Sequence, residues 1–220
     1  MSAFDSVIFD FDGTVADTGE GVFESIRYAI DKEGLPQPPD GEMRRFVGPP
    51  FKQSFPECFP WIDEACVDRL IAYYREVYSV KGIYKFTLYD GMEELLQFLK
   101  DKSIKTGIAS SKPEMFINQI LDKCGLRKYF DVPVGATSEN VHPNKAEIVN
   151  AAKVRLAELG CTKPLMVGDR MFDIEGAKAE NVPCAAVLFG YGSLEEFEEH
   201  GADYIVKDCN ELKKIITGEN

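Results

Sequence analysis

Residues 7–14 read Val-Ile-Phe-Asp-Phe-Asp-Gly-Thr, and this stretch decides how the chain folds. Its first residues are β-branched or aromatic, which predicts a buried strand. Side chains two positions apart on a strand share one face, so Asp10 and Asp12 are expected to project together at its carboxyl end, where open α/β sheets bind ligands. Paired carboxylates there can attack an electrophile, move a proton or hold a hard cation such as Mg²⁺. Gly13 lets the backbone leave the strand in a conformation that most residues avoid.

The composition limits the classes of partner. The chain has 220 residues, of which 45% are apolar, enough for a buried core in one large domain or two smaller ones. Its net charge of −12 argues against nucleic acid polymers and anionic membrane surfaces. No apolar run approaches the ~20 residues that span a bilayer, and the N-terminus lacks a signal-peptide pattern. A cytoplasmic protein that acts on a small molecule is the expectation.

Cysteine and histidine are poor candidates for the site chemistry. The six cysteines form no CxxC pair and are scattered through a chain too long to need disulfides, which favours reduced thiols in the cytoplasm. Only His142 and His200 are present, so a histidine dyad or a histidine-rich metal site is disfavoured. The sequence leaves a monomer and a homodimer equally open.

A helical segment interrupts an alternation of strands and helices. Apolar residues recur at helical spacing, and no strand pattern is present between about residues 16 and 83. From residue 89 onwards, short apolar strands alternate with amphipathic helices, which predicts a parallel sheet covered on both faces. We therefore expect an α/β core domain made of residues 1–15 and 85–220, and an all-helical domain inserted at residues 16–84.

Local patterns predict the elements of the core. Strands are expected at residues 106–110, 165–167, 185–188 and 204–206. Pairs of capping residues predict where helices begin: Asp90 with Glu93, Asn144 with Glu147, and Ser193 with Glu196. The acidic run at residues 195–199 is expected to be a solvated helix face.

Further polar side chains follow strands or begin helices elsewhere in the core: Ser110, Lys145, Asp169 and Asp173. In Gly-Asp-Arg-Met-Phe-Asp, residues 168–173, two carboxylates lie four positions apart across a strand-to-helix turn. With Asp10 and Asp12, the chain offers four aspartates, a hydroxyl and an ammonium. This set suits a phosphate monoester held beside Mg²⁺, because the cation and Lys145 offset the phosphoryl charge and Ser110 donates a hydrogen bond.

The order of these motifs resembles that of the haloacid dehalogenase superfamily. DxDGT at residues 10–14, a serine at 110, a lysine at 145 and GDxxxD at 168–173 follow one another as in that family. The helical insertion directly after the first motif resembles the family's C1-type cap. The phrase FGYGS at residues 189–193 is similar to its phosphoglycolate phosphatase-like branch. The resemblance covers nearly the whole chain and implies a Rossmann-like parallel sheet core with an inserted helical cap.

The resemblance implies a role for each acidic residue. Asp10 corresponds to the nucleophile, which forms an aspartyl-phosphate, and to a Mg²⁺ ligand. Asp12 corresponds to the general acid for the leaving alcohol and then the base for water, and its backbone carbonyl contacts the metal. Asp169 corresponds to a direct Mg²⁺ ligand, and Asp173 to a second ligand or an outer-shell support. The residues alone leave open which aspartate attacks.

The resemblance also implies which residues bind phosphate. Ser110, Ser111 and Lys145 correspond to the groups that hold the phosphoryl oxygens, and Lys145 also screens the charge of the nucleophile. Ser110 replaces the usual threonine but keeps the hydroxyl, whereas Lys145 precedes Ala146 instead of the frequent proline. Lys112 is therefore the alternative phosphate lysine.

One turn of the cap is a candidate for substrate selection. Residues 46–51 read Phe-Val-Gly-Pro-Pro-Phe and form a rigid turn flanked by aromatic residues. Gly48, Pro49 and the nearby Arg45 are candidates for contacting an anionic substrate. The alternative is that the turn packs a corner and the arginine faces solvent.

The expected function is a Mg²⁺-dependent phosphomonoesterase acting on a small organic phosphate, such as phosphoglycolate, a nucleoside 5'-monophosphate or a sugar phosphate. A phosphomutase of the same superfamily is the nearest alternative enzyme, but residues 17–23 lack the histidine and tryptophan expected in the cap of sugar mutases. A non-enzymatic phospho-receiver-like domain also uses a parallel sheet, acidic residues, a hydroxyl and a lysine. The helical insertion after the first strand argues against it.

Overall fold

The computed structural model describes residues 2–137 and 144–219. The chain divides into two compact units, one made of Met1–Ala16 with Leu88–Asn220 and the other of Asp17–Thr87. The cap was expected at residues 16–84. The second unit therefore begins one residue later than expected and ends three residues later. The segment just before Lys145, residues 138–143, contains His142 and lies outside the described residues.

The described residues form short strands and helices in the order expected of an α/β protein. The strands are β1 (Ser6–Phe9), β2 (Ala16–Asp17), β3 (Thr87–Leu88), β4 (Lys105–Pro113), β5 (Val132–Ala136), β6 (Pro164–Gly168), β7 (Cys184–Val187) and β8 (Tyr204–Val206). The helices are α1 (Gly19–Glu33), α2 (Phe51–Cys58), α3 (Glu64–Tyr78), α4 (Met92–Asp101), α5 (Glu114–Lys123), α6 (Lys145–Glu158), α7 (Met171–Ala179), α8 (Leu194–His200) and α9 (Cys209–Thr217). 3-10 helices lie at Asp40–Phe46, Gly82–Tyr84 and Arg127–Tyr129.

The first unit is built on a parallel sheet with the order β5-β4-β1-β6-β7-β8. One of the two central strands, β1, is fully buried and pairs in parallel with β4 on one side and β6 on the other, so that Ser6 lies opposite both Lys105 and Pro164. The predicted α/β class with a Rossmann-like parallel sheet is confirmed. Strand order reverses around β1, and such a switch point is where open α/β sheets bind ligands, beyond the carboxyl ends of the strands.

Strand β5 was not expected from the sequence pattern. Pro133 and Gly135 interrupt its apolar alternation, and both residues disfavour central strands. The structure places β5 at the edge of the sheet, where a missing backbone N–H is tolerated. Gly135 is required by close packing, because a Cβ there would lie 2.5 Å from the carbonyl oxygen of Lys112.

The pairing of β4 with β5 is irregular near the end of β4. Ala109 pairs with Val134, but the next pair joins Pro113 to Ala136, so β4 advances four residues while β5 advances two. Two extra residues are therefore accommodated in β4 between these pairs. Such bulges bend a strand and redirect its side chains, and they are frequent beside active sites.

Apolar residues from the sheet and its helices form one buried cluster in the first unit. It joins Ile8 of β1 and Met166 of β6 to Val149 of α6, Ile174 of α7 and Phe197 of α8. Burial of these side chains fixes the beginnings of α6 and α7 against the carboxyl ends of the strands.

Two of the three predicted helix caps are present. The Asn144 side chain accepts a hydrogen bond from the backbone N–H of Glu147, and Ser193 caps α8 in the same way. The expected capping box of Asp90 with Glu93 is wrong. Helix α4 is preceded by Gly91 in a left-handed conformation, with φ of 76°, and no side chain caps it.

The second unit is helical. Helices α1 and α3 pack along each other through buried side chains that include Ile26, Ile30, Leu70 and Tyr74. Asp63 caps α3 by accepting a hydrogen bond from the backbone N–H of Cys66. Across both units, no helix in the described ranges has the length and apolar character needed to cross a membrane.

Candidate active site

Asp10 lies directly after β1, at the centre of the sheet. Its backbone N–H donates to the carbonyl of Val167 at 2.8 Å, which continues the sheet pairing by one residue. The side chain of Asp10 is 8% exposed. The chain then turns at Gly13, whose φ is +86°, and a Cβ at this position would lie 2.2 Å from Asp169 Oδ2. Glycine is therefore required both by the backbone conformation and by the closeness of Asp169.

Three aspartates from separate segments meet beyond the ends of β1 and β6. Asp10, Asp169 and Asp173 are buried, and each offers a carboxylate oxygen that lies within 4.8 Å of the other two. Three buried carboxylates at this spacing repel each other unless a cation lies among them. Oxygen ligands from carboxylates are those that Mg²⁺ prefers.

Lys145 supplies one positive charge to this cluster. It is the first residue of α6, and its Nζ lies 2.9 Å from Asp10 Oδ1 and 2.7 Å from Asp173 Oδ1. Apart from these ion pairs, neither carboxylate oxygen has a hydrogen-bond partner among the described residues. Gly176 of α7 allows the close approach of α6, because a Cβ there would lie 2.8 Å from Lys145 Cγ.

Asp169 is held by two donors from different loops. The hydroxyl of Thr14 donates to its Oδ1 at 3.2 Å, and the backbone N–H of Tyr191 donates to its Oδ2 at 2.8 Å. The loop around Tyr191 approaches closely because Gly190 and Gly192 carry no side chain. A Cβ on either glycine would lie 2.3 Å from an atom of Asp169.

Asp173 shapes the turn that presents Asp169. Its Oδ2 accepts hydrogen bonds at 3.1 Å from the backbone N–H groups of Asp169 and Arg170, at the start of α7. Glu196 of α8 accepts from the backbone N–H of Met171 at 2.6 Å and from Arg170 Nε at 3.0 Å. The expectation that residues 195–199 are only a solvated face is therefore wrong for Glu196.

The bulged end of β4 contributes a hydroxyl and a second lysine. Ser110 and Lys112 are buried, whereas Ser111 between them is exposed. The backbone N–H of Lys112 donates to Ser110 Oγ at 3.4 Å, and Lys112 Nζ lies 3.1 Å from Asp12 Oδ1. The two candidate phosphate lysines thus occupy different places, with Lys145 beside Asp10 and Lys112 beside Asp12. Phosphate binding by Ser110, Ser111 and Lys145 stays a prediction.

The electrostatics of the cluster reflect its excess of negative charge. Burial, together with the nearby charges of Asp173 and Asp12, raises the pKa of Asp10 to about 6 against the opposing effect of Lys145. Burial, with the charges of Asp173 and Asp10, also raises the pKa of Asp169 well above its usual range. Burial alone favours a neutral Lys145, but the Asp10 and Asp173 carboxylates outweigh it and raise the pKa of the lysine. Several carboxylates share one ammonium, so both kinds of group hold their protons more tightly.

The candidate specificity residues of the cap belong to the second unit. Arg45 Nε lies 2.6 Å from Glu42 Oε2, and both side chains are about half exposed. Gly48 has a φ of +100°, which explains why glycine occupies this turn. Pro49 beside it is half-buried. A role for these three residues in substrate selection stays a prediction.

Sequence reasoning missed several residues that position the site. Thr14, the backbone of Tyr191 and Glu196 hold Asp169 and the start of α7, but the sequence analysis predicted none of these contacts. The available signal was the glycine spacing in FGYGS, residues 189–193, which indicates close backbone packing. The contact of Lys112 with Asp12 depends on the bulge in β4, which has no clear sequence pattern.

Comparison with known proteins places this geometry in a family. A family model described as haloacid dehalogenase-like hydrolase matches residues 7–187, which include Asp10 and the turn from Asp169 to Asp173. The chain belongs to this family. The resemblance inferred from the motif order is thereby confirmed.

Relatives of this haloacid dehalogenase-like hydrolase include phosphatases and a kinase. It is 30% identical over 213 residues to a Pseudomonas aeruginosa 5'-nucleotidase, covering 97% of this chain and 96% of that protein. It is 32% identical over 189 residues to the tyrosine-protein kinase PtkA of Mycobacterium tuberculosis, covering 86% of this chain and 64% of the kinase. A Clostridium acetobutylicum structure described as a predicted phosphatase superposes with a TM-score of 0.86 at 36% identity, covering 96% of this chain and 97% of that one. The 5'-nucleotidase and the Clostridium acetobutylicum structure support a phosphatase.

Proposed function

We propose that this protein is a cytoplasmic Mg²⁺-dependent phosphomonoesterase that hydrolyses a small organic phosphate through an aspartyl-phosphate on Asp10. The observation that carries the proposal is the contact of Asp10 Oδ1 with Lys145 Nζ at 2.9 Å, within a cluster that also contains Asp169 and Asp173. This cluster combines a nucleophile, a fixed positive charge and oxygen ligands for a cation at the switch point of the sheet.

The proposed first step is attack by an oxygen of Asp10 on phosphorus. A bond forms between that oxygen and phosphorus, while the ester bond between phosphorus and the leaving oxygen breaks. Lys145 favours the ionised, nucleophilic form of Asp10, and its fixed ammonium stabilises negative charge in the transition state. Ser110, buried at the end of β4, supplies a hydroxyl donor for a phosphoryl oxygen.

Asp12 is proposed to move the proton in both steps. It donates a proton to the leaving oxygen as the ester bond breaks, so the product leaves as an alcohol. The resulting carboxylate then takes a proton from water. The water oxygen bonds to phosphorus, the bond between phosphorus and Asp10 breaks, and inorganic phosphate leaves. Asp12 thereby returns to its starting protonation state.

The three buried carboxylates fit a divalent cation. Apart from their ion pairs with Lys145, the buried Asp10 Oδ1 and Asp173 Oδ1 have no hydrogen-bond partner among the described residues, and Asp169 supplies a further oxygen within 4.8 Å. Asp10, Asp169 and Asp173 are thus the residues proposed to hold Mg²⁺, with the backbone carbonyl of Asp12. When bound, the cation supplies charge neutralisation for the phosphoryl oxygens.

The proposed substrate is a small phosphorylated metabolite of the phosphoglycolate or nucleoside 5'-monophosphate type. The similarity to a 5'-nucleotidase over 97% of this chain supports the nucleotide class. The excess of acidic residues, which gives a net charge of −12, disfavours polymeric nucleic acid as a partner.

The test is phosphate release from a panel of monoesters, with Mg²⁺ and with chelator. The panel contains phosphoglycolate, nucleoside 5'-monophosphates and hexose phosphates. A Mg²⁺-dependent preference of about tenfold or more in kcat/KM for one class, equivalent to ~1.4 kcal/mol of transition-state binding, identifies the substrate class. Transfer of phosphate to a second hydroxyl without its release would indicate a mutase. No turnover of any monoester would overturn the proposal.

A further inference from the structure

We infer that Lys112 is a positioning residue for Asp12, and that it acts on proton transfer and not as the lysine that binds phosphate. The inference rests on the proposed function, because Asp12 is its proton donor. It also assigns a separate role to each of the two lysines that the sequence left as alternatives.

The first observation is that Lys112 is buried and that its partner, Asp12, is only partly exposed. The Lys112 side chain is 5% exposed and that of Asp12 is 14% exposed, and Lys112 Nζ lies 3.1 Å from Asp12 Oδ1. A lysine ammonium removed from water requires a charged or polar partner, since an unpaired buried charge is strongly destabilising. Such a contact restricts the rotamers of a carboxylate that stands in the turn after β1.

The second observation is how the backbone delivers Lys112. The irregular pairing of β4 with β5 places two extra residues between Ala109 and Pro113. Within this segment, Ser110 and Lys112 are both buried and are linked by the hydrogen bond from the Lys112 N–H to Ser110 Oγ. Gly135 allows β5 to approach the Lys112 carbonyl closely, which fixes the backbone from the other side. The irregular segment of β4 therefore holds both the lysine and the Ser110 hydroxyl, the candidate phosphate ligand, in fixed positions.

The third observation is that the two lysines contact different aspartates. Lys145 contacts Asp10 and Asp173, the proposed nucleophile and a proposed metal ligand. Lys112 contacts the proposed acid, Asp12. A lysine in this second place influences the step in which the leaving oxygen receives its proton, because it fixes the position of the donor carboxyl.

This role predicts a dependence on the leaving group. An alkyl alcohol is a poor leaving group and requires a proton from Asp12, whereas 4-nitrophenolate leaves without one. We expect Lys112→Met to lower kcat/KM for an alkyl phosphate, phosphoglycolate, about tenfold more than kcat/KM for 4-nitrophenyl phosphate. Since kcat/KM reports the steps up to formation of the aspartyl-phosphate, slow hydrolysis of that intermediate does not mask the difference.

Inorganic phosphate as a competitive inhibitor provides a second readout. A positioning role leaves its inhibition constant unchanged in Lys112→Met, whereas loss of a phosphate ligand raises it. If kcat/KM falls equally for the alkyl and aryl esters and inhibition by phosphate becomes weaker, Lys112 binds phosphate and the inference is overturned. Unchanged kcat/KM for both esters would overturn it as well.

A matched control lies on the same strand. Lys105, at the start of β4, pairs with Asp131 at 2.7 Å, and its side chain is 42% exposed. Lys105→Met is expected to change neither the ratio of the two esters nor inhibition by phosphate. If Lys112→Met does not fold, Lys112→Arg is the alternative variant, because it keeps the positive charge but changes its distance from Asp12. It is expected to shift the ratio of kcat/KM for the two esters in the same direction by a smaller factor. If the wild-type protein releases phosphate from neither ester, the proposed function fails, and this inference fails with it.

Discussion

The α/β unit buries two of its ion-paired lysines and leaves others, such as Lys105 and Lys153, partly exposed, whereas the ion-paired lysines of the helical unit are all exposed by 38% or more. In the α/β unit, the Lys145 and Lys112 side chains are 9% and 5% exposed and contact aspartates of the candidate site. In the helical unit, lysine pairs such as Lys32 with Glu76 are 38% and 46% exposed. Buried ion pairs recover their desolvation cost poorly, whereas exposed pairs cost and contribute little. The comparison indicates that the buried lysines are retained for chemistry and the exposed ones for the surface.

The sharpest test of the buried cluster is Asp10→Asn. We expect turnover to fall about 10³-fold or more, because the change removes both a nucleophile and a proposed metal ligand. The measurement is phosphate release, with thermal unfolding to verify the fold. Asp5→Asn is the matched control, since Asp5 precedes β1 at the opposite end and accepts hydrogen bonds from Ser6, Thr162 and Lys163. Turnover retained in Asp10→Asn would disprove the assigned mechanism.

Removal of the central ammonium is expected to affect both activity and stability. Lys145→Met leaves Asp10 and Asp173 without their ion pair, so kcat/KM should fall about 100-fold and the free energy of unfolding by about 3–5 kcal/mol without metal. Chemical denaturation with and without Mg²⁺ measures the second effect. Lys153→Met on the same helix removes a more exposed pair with Glu180 and is the control. If Lys112→Met instead abolishes activity on every ester while Lys145→Met is active, the phosphate lysine has been assigned to the wrong position.

The raised pKa of Asp10 predicts how the stability of the metal-free protein changes with pH. Its folded-state pKa is about 6, above the value of 3.8 for an unperturbed aspartate, so the folded state binds the proton more tightly. The contribution of Asp10 to stability is therefore greatest below pH 3.8 and declines as the pH rises towards about 6. The free energy of unfolding is measured by chemical denaturation in chelator at pH 5 and at pH 7. Between these two pH values, it should decline less in Asp10→Asn than in the wild type. An identical decline in both proteins would contradict the assigned shift.

The smallest effect is expected in the helical unit. Glu76 accepts from Lys32 Nζ at 2.6 Å and from the Tyr28 hydroxyl at 3.0 Å, but all of these groups are solvated. Glu76→Gln should leave the denaturation midpoint and kcat/KM unchanged within error, because exposed ion pairs contribute little. A marked loss of activity would show that the contrast between the two units is wrong.

The sequence predicted the parts of the structure that follow from local patterns. The strand before Asp10, the caps at Asn144 and Ser193, and the helical insertion are each encoded by a few adjacent residues. The family and the α/β fold followed from motifs of the same local kind. The joint position of Asp169 and Asp173 could also be predicted, since four residues across a strand-to-helix turn fix it.

The sequence could not predict features that depend on pairing between distant segments. Strand β5 carries Pro133 and Gly135, which are unfavourable in isolation and acceptable only at an edge. The prediction of a capping box at Asp90 was wrong because the backbone at Gly91 is left-handed. Glu196 belongs to an acidic run, and only the packing of α7 beside α8 turns one of these carboxylates towards Met171.

The central place of β1 has a consequence for biosynthesis. Its neighbours in the sheet are β4 and β6, so Ser6 near the N-terminus finds partners only at Lys105 and Pro164. A ribosome therefore releases this fully buried, mostly apolar strand well before either neighbour exists, and both of its edges stay open during that interval. Unpaired apolar strands are prone to association with other chains. Demand on chaperones should thus be highest for nascent chains that have passed the helical insertion but have not yet reached β6.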